Sequence, residues 1–497
     1  MFLKKTTDGE NEPILQNDDS KPLLPVRYII VFFCFMANTF SYGMRINWSI
    51  AILAMVSKKK FHQSNSSTEV LLGGNETLVF DWDMKTQQLI LGSFYYGYTL
   101  TPFLGGWLVG KVGSFRVLLT GLLLSSLMML LTPISAKISV VLVILTRVID
   151  GIGQGVVFPS TYSIISKWSK LNERSTFISI STSGYNIGSI VSSYVSAWLC
   201  SSYFLGGWPS TFYGAGICGI ILSFGWFIIG SNDATSNRWI SNYERKLILS
   251  YGIEDTQSEN IDIYQVPWKS ILTSAPVWSL CVCNIGFDYG YYFLSTDVPI
   301  FFKTILGFQI KTTGLLSVLP QSAMFITMIF GGVLADNLIL SGTLRIITIR
   351  KLFGFLGLGF SSIILVSLGY FINDVTLVVT MMVGVFAMYG FFIPGIDANT
   401  MDIAPNHSAL LIGIMFSISS LTGFIAPAVL GALTNRTNTI FQWREVFWIV
   451  AGIQLFGLVA FLIFGSGEEQ DWSKAHKKSN TDIALLEIPS TNSKEAN

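Results

Sequence analysis

The chain has 497 residues, of which 51% are hydrophobic, 14% aromatic and only 12% charged, with a mean hydropathy of +0.55. Soluble domains carry about 25% charged residues, so an ordinary water-facing surface is excluded and lipid is the natural solvent for the excess. The 31 Lys and Arg against 30 Asp and Glu leave a formal charge of +1, which gives no electrostatic case for a nucleic-acid partner.

Residues 1–25 are polar and acidic, and the apolar run after them is longer than the core of a cleavable signal. The first span is therefore expected to stay in the mature chain. The tail holds two patterns of an acidic residue, three spacers and an aliphatic pair: ENEPIL, ending in Ile14 and Leu15, and DSKPLL, ending in Leu23 and Leu24. On a cytosolic tail such pairs bind clathrin-type vesicle adaptors and point to a lysosomal or vesicular membrane; the plasma membrane is the alternative. The alternative for Leu23 and Leu24 is anchorage of the first helix.

Crossing a bilayer core of about 30 Å takes about 20 apolar residues in a helix. Twelve such runs begin near Val26, Gln87, Val117, Ile138, Thr176, Phe212, Ser270, Gly314, Leu352, Val375, Ala409 and Val446. They are continuously apolar and too long for the alternating segments of a membrane barrel, so an all-α membrane protein is expected. The long polar interval 231–269 splits the spans six and six. The expected organisation is a tail 1–25, a six-helix bundle 26–230 with a loop 57–86, a middle loop 231–269, a second six-helix bundle 270–465 and a tail 466–497. GGWLVGK at 105–111 recurs as GGVLADN at 331–337, each at the end of the second span of its half, which marks an internal repeat.

The short connections divide their Lys and Arg evenly between the two sides. The middle loop and the last tail add Arg238, Arg245, Lys246, Lys269, Lys474, Lys477 and Lys478, which favours cytosolic termini. The sequons at Asn65 and Asn75 then fall in a luminal or extracellular loop, where both are expected to carry glycans. Five cysteines, an odd number, sit in or beside apolar runs without metal-ligand spacing. They read as buried small apolar residues, and neither a metal nor a cofactor is expected.

Ionisable residues inside spans are costly and mark function. Arg45 interrupts the first run in SYGMRINWSIAILA. Arg147 and Asp150 interrupt the fourth in RVIDGIGQGVVFPS, with Gln154 beyond, and the i, i+3, i+7 spacing puts all three on one helical face. Two guanidiniums suit an anion, and protonation of Asp150 would free Arg147 to hold it, coupling the anion to a proton. The competing readings are a permanent Arg147–Asp150 pair that fixes packing, and an Arg45 that snorkels to the span's end. Asp288 and Asp397 are further candidates for a cation or an arginine partner, unless they lie at the membrane face, where Asp402 is placed. Tyr289, Tyr291 and Tyr292 could line a pathway. No histidine looks catalytic, and no covalent chemistry is expected.

At these residues the chain resembles the anion:cation symporter branch of the major facilitator superfamily, which includes sialin, the vesicular glutamate transporters and the sodium/phosphate cotransporters. The resemblance runs through GSFYYGYTLTPFLGGWL, RVIDGIGQGVVFP, KWSKLNERS, DIAPNHSALLIGI, WREVFWI and SGEEQDW. It implies an alternating-access carrier of small anions, nearest in character to the sialin-like members and driven by H⁺ or Na⁺. Arg45, Arg147 and Tyr292 match substrate-binding positions of that branch, and Asp150 matches a carboxylate position. Gln154 stands where sialin and the glutamate carriers use a coupling Glu, while Phe287 and Gly92 replace an Arg and a His of the glutamate carriers. Gly110 replaces the Asp of the first repeat, whereas Asp336 is kept in the second. The alternatives are a sodium- or potential-driven phosphate or organic-anion cotransporter, and a transport-inactive sensor with the same fold.

Overall fold

The computed structural model describes residues 25–56, 80–202, 204–250, 266–304, 310–371, 374–434 and 440–473. Asn65, Asn75, Ile14, Leu15, Leu23 and Leu24 lie outside these.

Among the described residues, twelve membrane helices follow one another. The first six are α1 (Val26–Met55), α2 (Met84–Tyr98 continuing as Thr101–Val112), α3 (Ser114–Ile138), α4 (Val140–Gly155 continuing as Val157–Trp168), α5 (Arg174–Ser201) and α6 (Trp208–Ile229). The second six are α7 (Ala275–Thr304), α8 (Ile310–Leu340), α9 (Ile346–Gly354 through Ser361–Leu368), α10 (Val375–Tyr389 through Asn399–Ile403), α11 (Ser408–Ser419 and Thr422–Thr434) and α12 (Ile440–Phe464). Nine are long and apolar enough to span a membrane on hydropathy alone among the described residues. The other three, α2, α5 and α7, are enriched in Gly, Ser and Tyr, which lowers their mean hydropathy.

The bundle is apolar outside and small or polar within. Phe32, Leu127, Ile221, Phe224, Ile326, Phe330 and Phe456 are exposed, whereas Ser125, Ser126, Ser179, Ser181, Ser183 and Asn186 are buried. Helices gain nothing from burying Leu against Leu when lipid is as apolar, so close approach and hydrogen bonds hold them together. Between α1 and α5, Asn38 Nδ2 donates to the Ser181 carbonyl at 3.0 Å, Ser192 Oγ to the Gly43 carbonyl at 2.6 Å and Ser196 Oγ to Asn47 Oδ1 at 2.8 Å. Gly97 and Gly151 let α2 and α4 meet backbone to backbone, since a Cβ on either would overlap the carbonyl of Val148 or Phe94. Cys34, Cys281 and Cys283 are buried as expected; Cys200 is half-buried and Cys218, on the outer side of α6, is exposed.

Helix ends are set by local chemistry. Asp83, Ser139 and Asp374 cap α2, α4 and α10 through the N–H groups of Thr86, Leu142 and Leu377. The turn from α2 to α3 passes through Gly113 at φ 91°, a conformation that side chains disfavour, and Asn232 then caps α3 at the Phe115 N–H, 2.9 Å away.

The internal repeat is expressed in the packing between halves. Gly106, near the end of α2, lies against the Ala409 carbonyl in the first turn of α11; Gly332, near the end of α8, lies against Ser175 in the first turn of α5. Each half thus sends its second helix against the fifth helix of the other.

Around this seam the end of the molecule bearing residues 25, 231 and 465, the terminal face, is tied shut. Asp336 accepts from the N–H groups of Ser175 at 3.1 Å and Thr176 at 2.6 Å, capping α5 from the opposite half. Arg350 is fully buried. Its Nε meets Asp402 at 2.8 Å, and its Nη1 donates to Ser175 Oγ at 2.8 Å and to the Pro394 carbonyl at 2.6 Å. Arg174 donates to the Met401 carbonyl at 3.2 Å. Glu244, from the middle loop, caps α1 at Val26 and Arg27, and Arg27 pairs with Glu173 at 3.0 Å. Beyond α12 the chain turns back across this face: Gln470 N–H donates to the Ile403 carbonyl, and Asn399 and Asn406 donate to the carbonyls of Ser466 and Ser473.

Candidate functional site

A cavity with about 590 Å³ of empty space, mouth included, lies between the halves. Its walls come from α1, α2, α4 and α5 on one side and from α7, α8, α10 and α11 on the other. Below it, the Tyr162 hydroxyl donates to Asp397 at 3.2 Å and Ser408 Oγ to Ser166 Oγ at 3.3 Å, both across the halves. Phe158, Tyr162 and Ser166 are one helical turn apart, so these contacts are successive layers between cavity and terminal face.

Arg45 projects into this cavity. Its Cζ lies 4.6 Å from the Tyr95 ring centroid, 5.1 Å from Phe94, 5.6 Å from both Tyr42 and Tyr98, and 5.8 Å from Tyr292 in the opposite half. One Nη2–H donates to the Tyr95 hydroxyl. No carboxylate among the described residues lies within ion-pair distance. Aromatic faces stabilise the guanidinium by about 0.5–2 kcal/mol each without neutralising it, so its charge stays available. The snorkelling alternative is not what the structure shows.

Arg147 is placed differently. It is buried behind Phe94, 4.9 Å from that ring and 4.9 Å from Trp48, and it does not line the cavity. Its Nη1 meets Asp150 Oδ2 at 3.2 Å, and Gln154 Nε2 donates to Asp150 Oδ1 at 2.9 Å. The i, i+3, i+7 face is therefore a real hydrogen-bonded row. Both guanidiniums contact the same phenyl ring, within about 10 Å of each other, but only Arg45 reaches the open space.

Two further carboxyls are buried near the cavity. Asp288 lines it at 5% exposure and accepts from Ser419 Oγ. Asp397, in a stretch of π-helix (Ile393–Asp397), accepts from Asn284 Nδ2 at 2.8 Å as well as from Tyr162. Neither lies at the membrane face. Asp402 does sit near the terminal face, but paired with Arg350. Tyr292 lines the cavity with Tyr291, whereas Tyr289 is buried and is not part of its wall.

Sequence reading missed Tyr42, Tyr98, Tyr185 and Ser419. Tyr42 and Arg45, and likewise Tyr95 and Tyr98, are three apart, and that same-face spacing is the signal that could have found them.

A two-halved bundle of twelve spans, with repeat-related seams and a charged, aromatic cavity at the middle, defines a membrane carrier rather than an enzyme. The chain belongs to the Major Facilitator Superfamily, whose sequence profile matches residues 29–364 and 340–493. It is a multi-pass membrane transporter. It is 32% identical over 488 residues to human (Homo sapiens) sialin, covering 94% of this chain and 96% of that one. It is also 30% identical to zebrafish (Danio rerio) vesicular glutamate transporter 3, covering 97% of this chain and 81% of that one. Among solved structures, the fold matches the proton:xylose symporter XylE bound to 6-bromo-6-deoxy-D-glucose with a TM-score of 0.67 at 13% identity, over 89% of this chain and 97% of that one. The E. coli fucose:proton symporter FucP matches with a TM-score of 0.57 at 12% identity, over 87% and 98%.

Proposed function

We propose that this protein is a proton-coupled symporter of small organic anions, acidic sugars among them, working by alternating access around the central cavity. The observation that carries the reading is Arg45: a guanidinium in the cavity between the halves, held by tyrosines, with no carboxylate among the described residues within ion-pair distance. Similarity to sialin and to a vesicular glutamate transporter supports an anionic cargo. Arg45 and Tyr292, one from each half, bind the solute together, so the solute draws the halves toward each other. Arg147 stands behind Phe94, its charge met by Asp150, and would join Arg45 only on release from that carboxylate. The coupling proton rests on a carboxyl within the spans.

The remaining parts of the reading rest on sequence. Both tails face the cytosol, Asn65 and Asn75 carry glycans on the far side, and the pairs Ile14–Leu15 and Leu23–Leu24 direct the protein through clathrin adaptors to a lysosomal or vesicular membrane.

The test is uptake by the purified chain in proteoliposomes, with labelled glucuronate, glutamate, a dicarboxylate and phosphate offered under separate pH, sodium and voltage gradients. Glucuronate or another organic anion should accumulate with the pH gradient. Arg45→Ala should lose about 2 kcal/mol or more of binding, about 30-fold in apparent affinity, and Arg45→Lys should recover little of it because it lacks the fork. Phosphate uptake driven only by sodium or voltage, or binding without flux, would replace this reading with the cotransporter or the sensor.

A further inference from the structure

The cavity wall holds a carboxyl as well as a guanidinium. Asp288, on α7, opens on the same space as Arg45, and among the described residues its hydrogen-bond partner is the neutral Ser419 hydroxyl of α11. The charged and titratable groups around it are Arg45 and Tyr42 of α1, Tyr98 of α2, Tyr292 of its own helix, and Asp397 of α10. Arg45 is the only cation in that set. Asp150, by contrast, has a guanidinium at 3.2 Å and an amide donor at 2.9 Å, and it does not line the cavity.

Building on the anion-symport reading, we propose that the proton travelling with the anion is carried by the Asp288 carboxyl, and that Asp150 is a fixed partner of Arg147. An ionised Asp288 competes with the solute for Arg45 and repels it in a desolvated space, where opposed charges interact strongly. When Asp288 takes a proton from the water of one compartment, the cavity keeps one uncompensated positive charge, and a monoanion can settle on it. Anion and proton then leave together on the other side, and the returning ionised Asp288 faces Arg45 with no net charge to carry back. Coupling follows from the two groups sharing one space. An Arg147–Asp150 pair closed off from the cavity offers no such competition.

The experiment compares wild type with Asp288→Asn, Asp288→Glu and Asp150→Asn in proteoliposomes, using labelled glucuronate from the panel above. Two readouts are taken: accumulation driven by a pH gradient, and counterflow exchange without one. One proton per monoanion gives wild type about tenfold accumulation for a gradient of one pH unit. Asp288→Asn should keep counterflow and lose accumulation, with an exchange rate flat against pH; Asp288→Glu should restore both the gradient response and the pH dependence. Asp150→Asn should keep gradient-driven accumulation of whatever anion it still carries. Ser419→Ala leaves the carboxyl in place and should move the pH midpoint of uptake upward, because a carboxylate that loses a donor holds its proton more readily.

The proposal is overturned if Asp288→Asn accumulates anion like wild type, if it loses counterflow together with accumulation, or if the midpoint of Ser419→Ala does not move. Failure of the wild type to carry any anion of the panel removes the transport reading itself, and this inference with it.

Discussion

Arg45 and Arg350 show how one residue type serves opposite ends when its surroundings change. Arg45 meets rings and a hydroxyl, which leave its charge exposed to a solute. Arg350 meets a carboxylate, a hydroxyl and a carbonyl, which consume it. Removing one member of a buried pair strands the other, at about 3–5 kcal/mol, whereas exposed pairs are worth about 1 kcal/mol or less. Arg350→Ala should therefore lower the stability of the purified protein by about 3–5 kcal/mol in thermal unfolding. Arg350→Met combined with Asp402→Leu should lose much less. A single-variant loss below about 1 kcal/mol would falsify the view of this pair as a sealed one.

At the scale of helices, the two seams between halves are built alike and fastened unequally. The end of α8 carries Asp336, which caps α5; the equivalent position at the end of α2 is Gly110, which has open space where a side chain would begin. A helix cap is worth about 0.5–2 kcal/mol, and here that energy acts across the halves. Asp336→Asn should shift the population away from the arrangement closed at the terminal face, by about twofold to 30-fold. By the repeat, Gly110→Asp places a carboxylate at the position equivalent to Asp336 and should shift it the other way. Both are read from the labelling rate of a single cysteine engineered into the cavity wall; identical rates in the two variants would dismiss Asp336 as a fastener.

Across the whole molecule, the spans were legible because lipid imposes length and apolarity on every helix. The row Arg147, Asp150 and Gln154 was legible because one helix's periodicity determines it. What brings Tyr292 beside Arg45 or Asp336 onto Ser175 is the packing of helices from different halves, and what sets Ser419 on Asp288 is the packing of two helices far apart in the second half; one chain read by itself does not encode those distances in any local pattern. The burial of Arg350 stays hidden for the same reason. A basic residue beside a short connection looks solvated until the opposite half is set against it.

The stretch 465–473 folds back over the terminal face, with Gly467 against Ile347 and Trp472 beside His407. Its hydrogen bonds to residues 399, 403 and 406 make it a strap across α10 and the start of α11. Protein engineers inherit a rule from it. A fluorescent reporter joined after residue 473 should leave melting temperature and uptake unchanged, while the same reporter spliced directly behind Gly465 should depress both, and equal behaviour of the two fusions would mean the strap is ornamental.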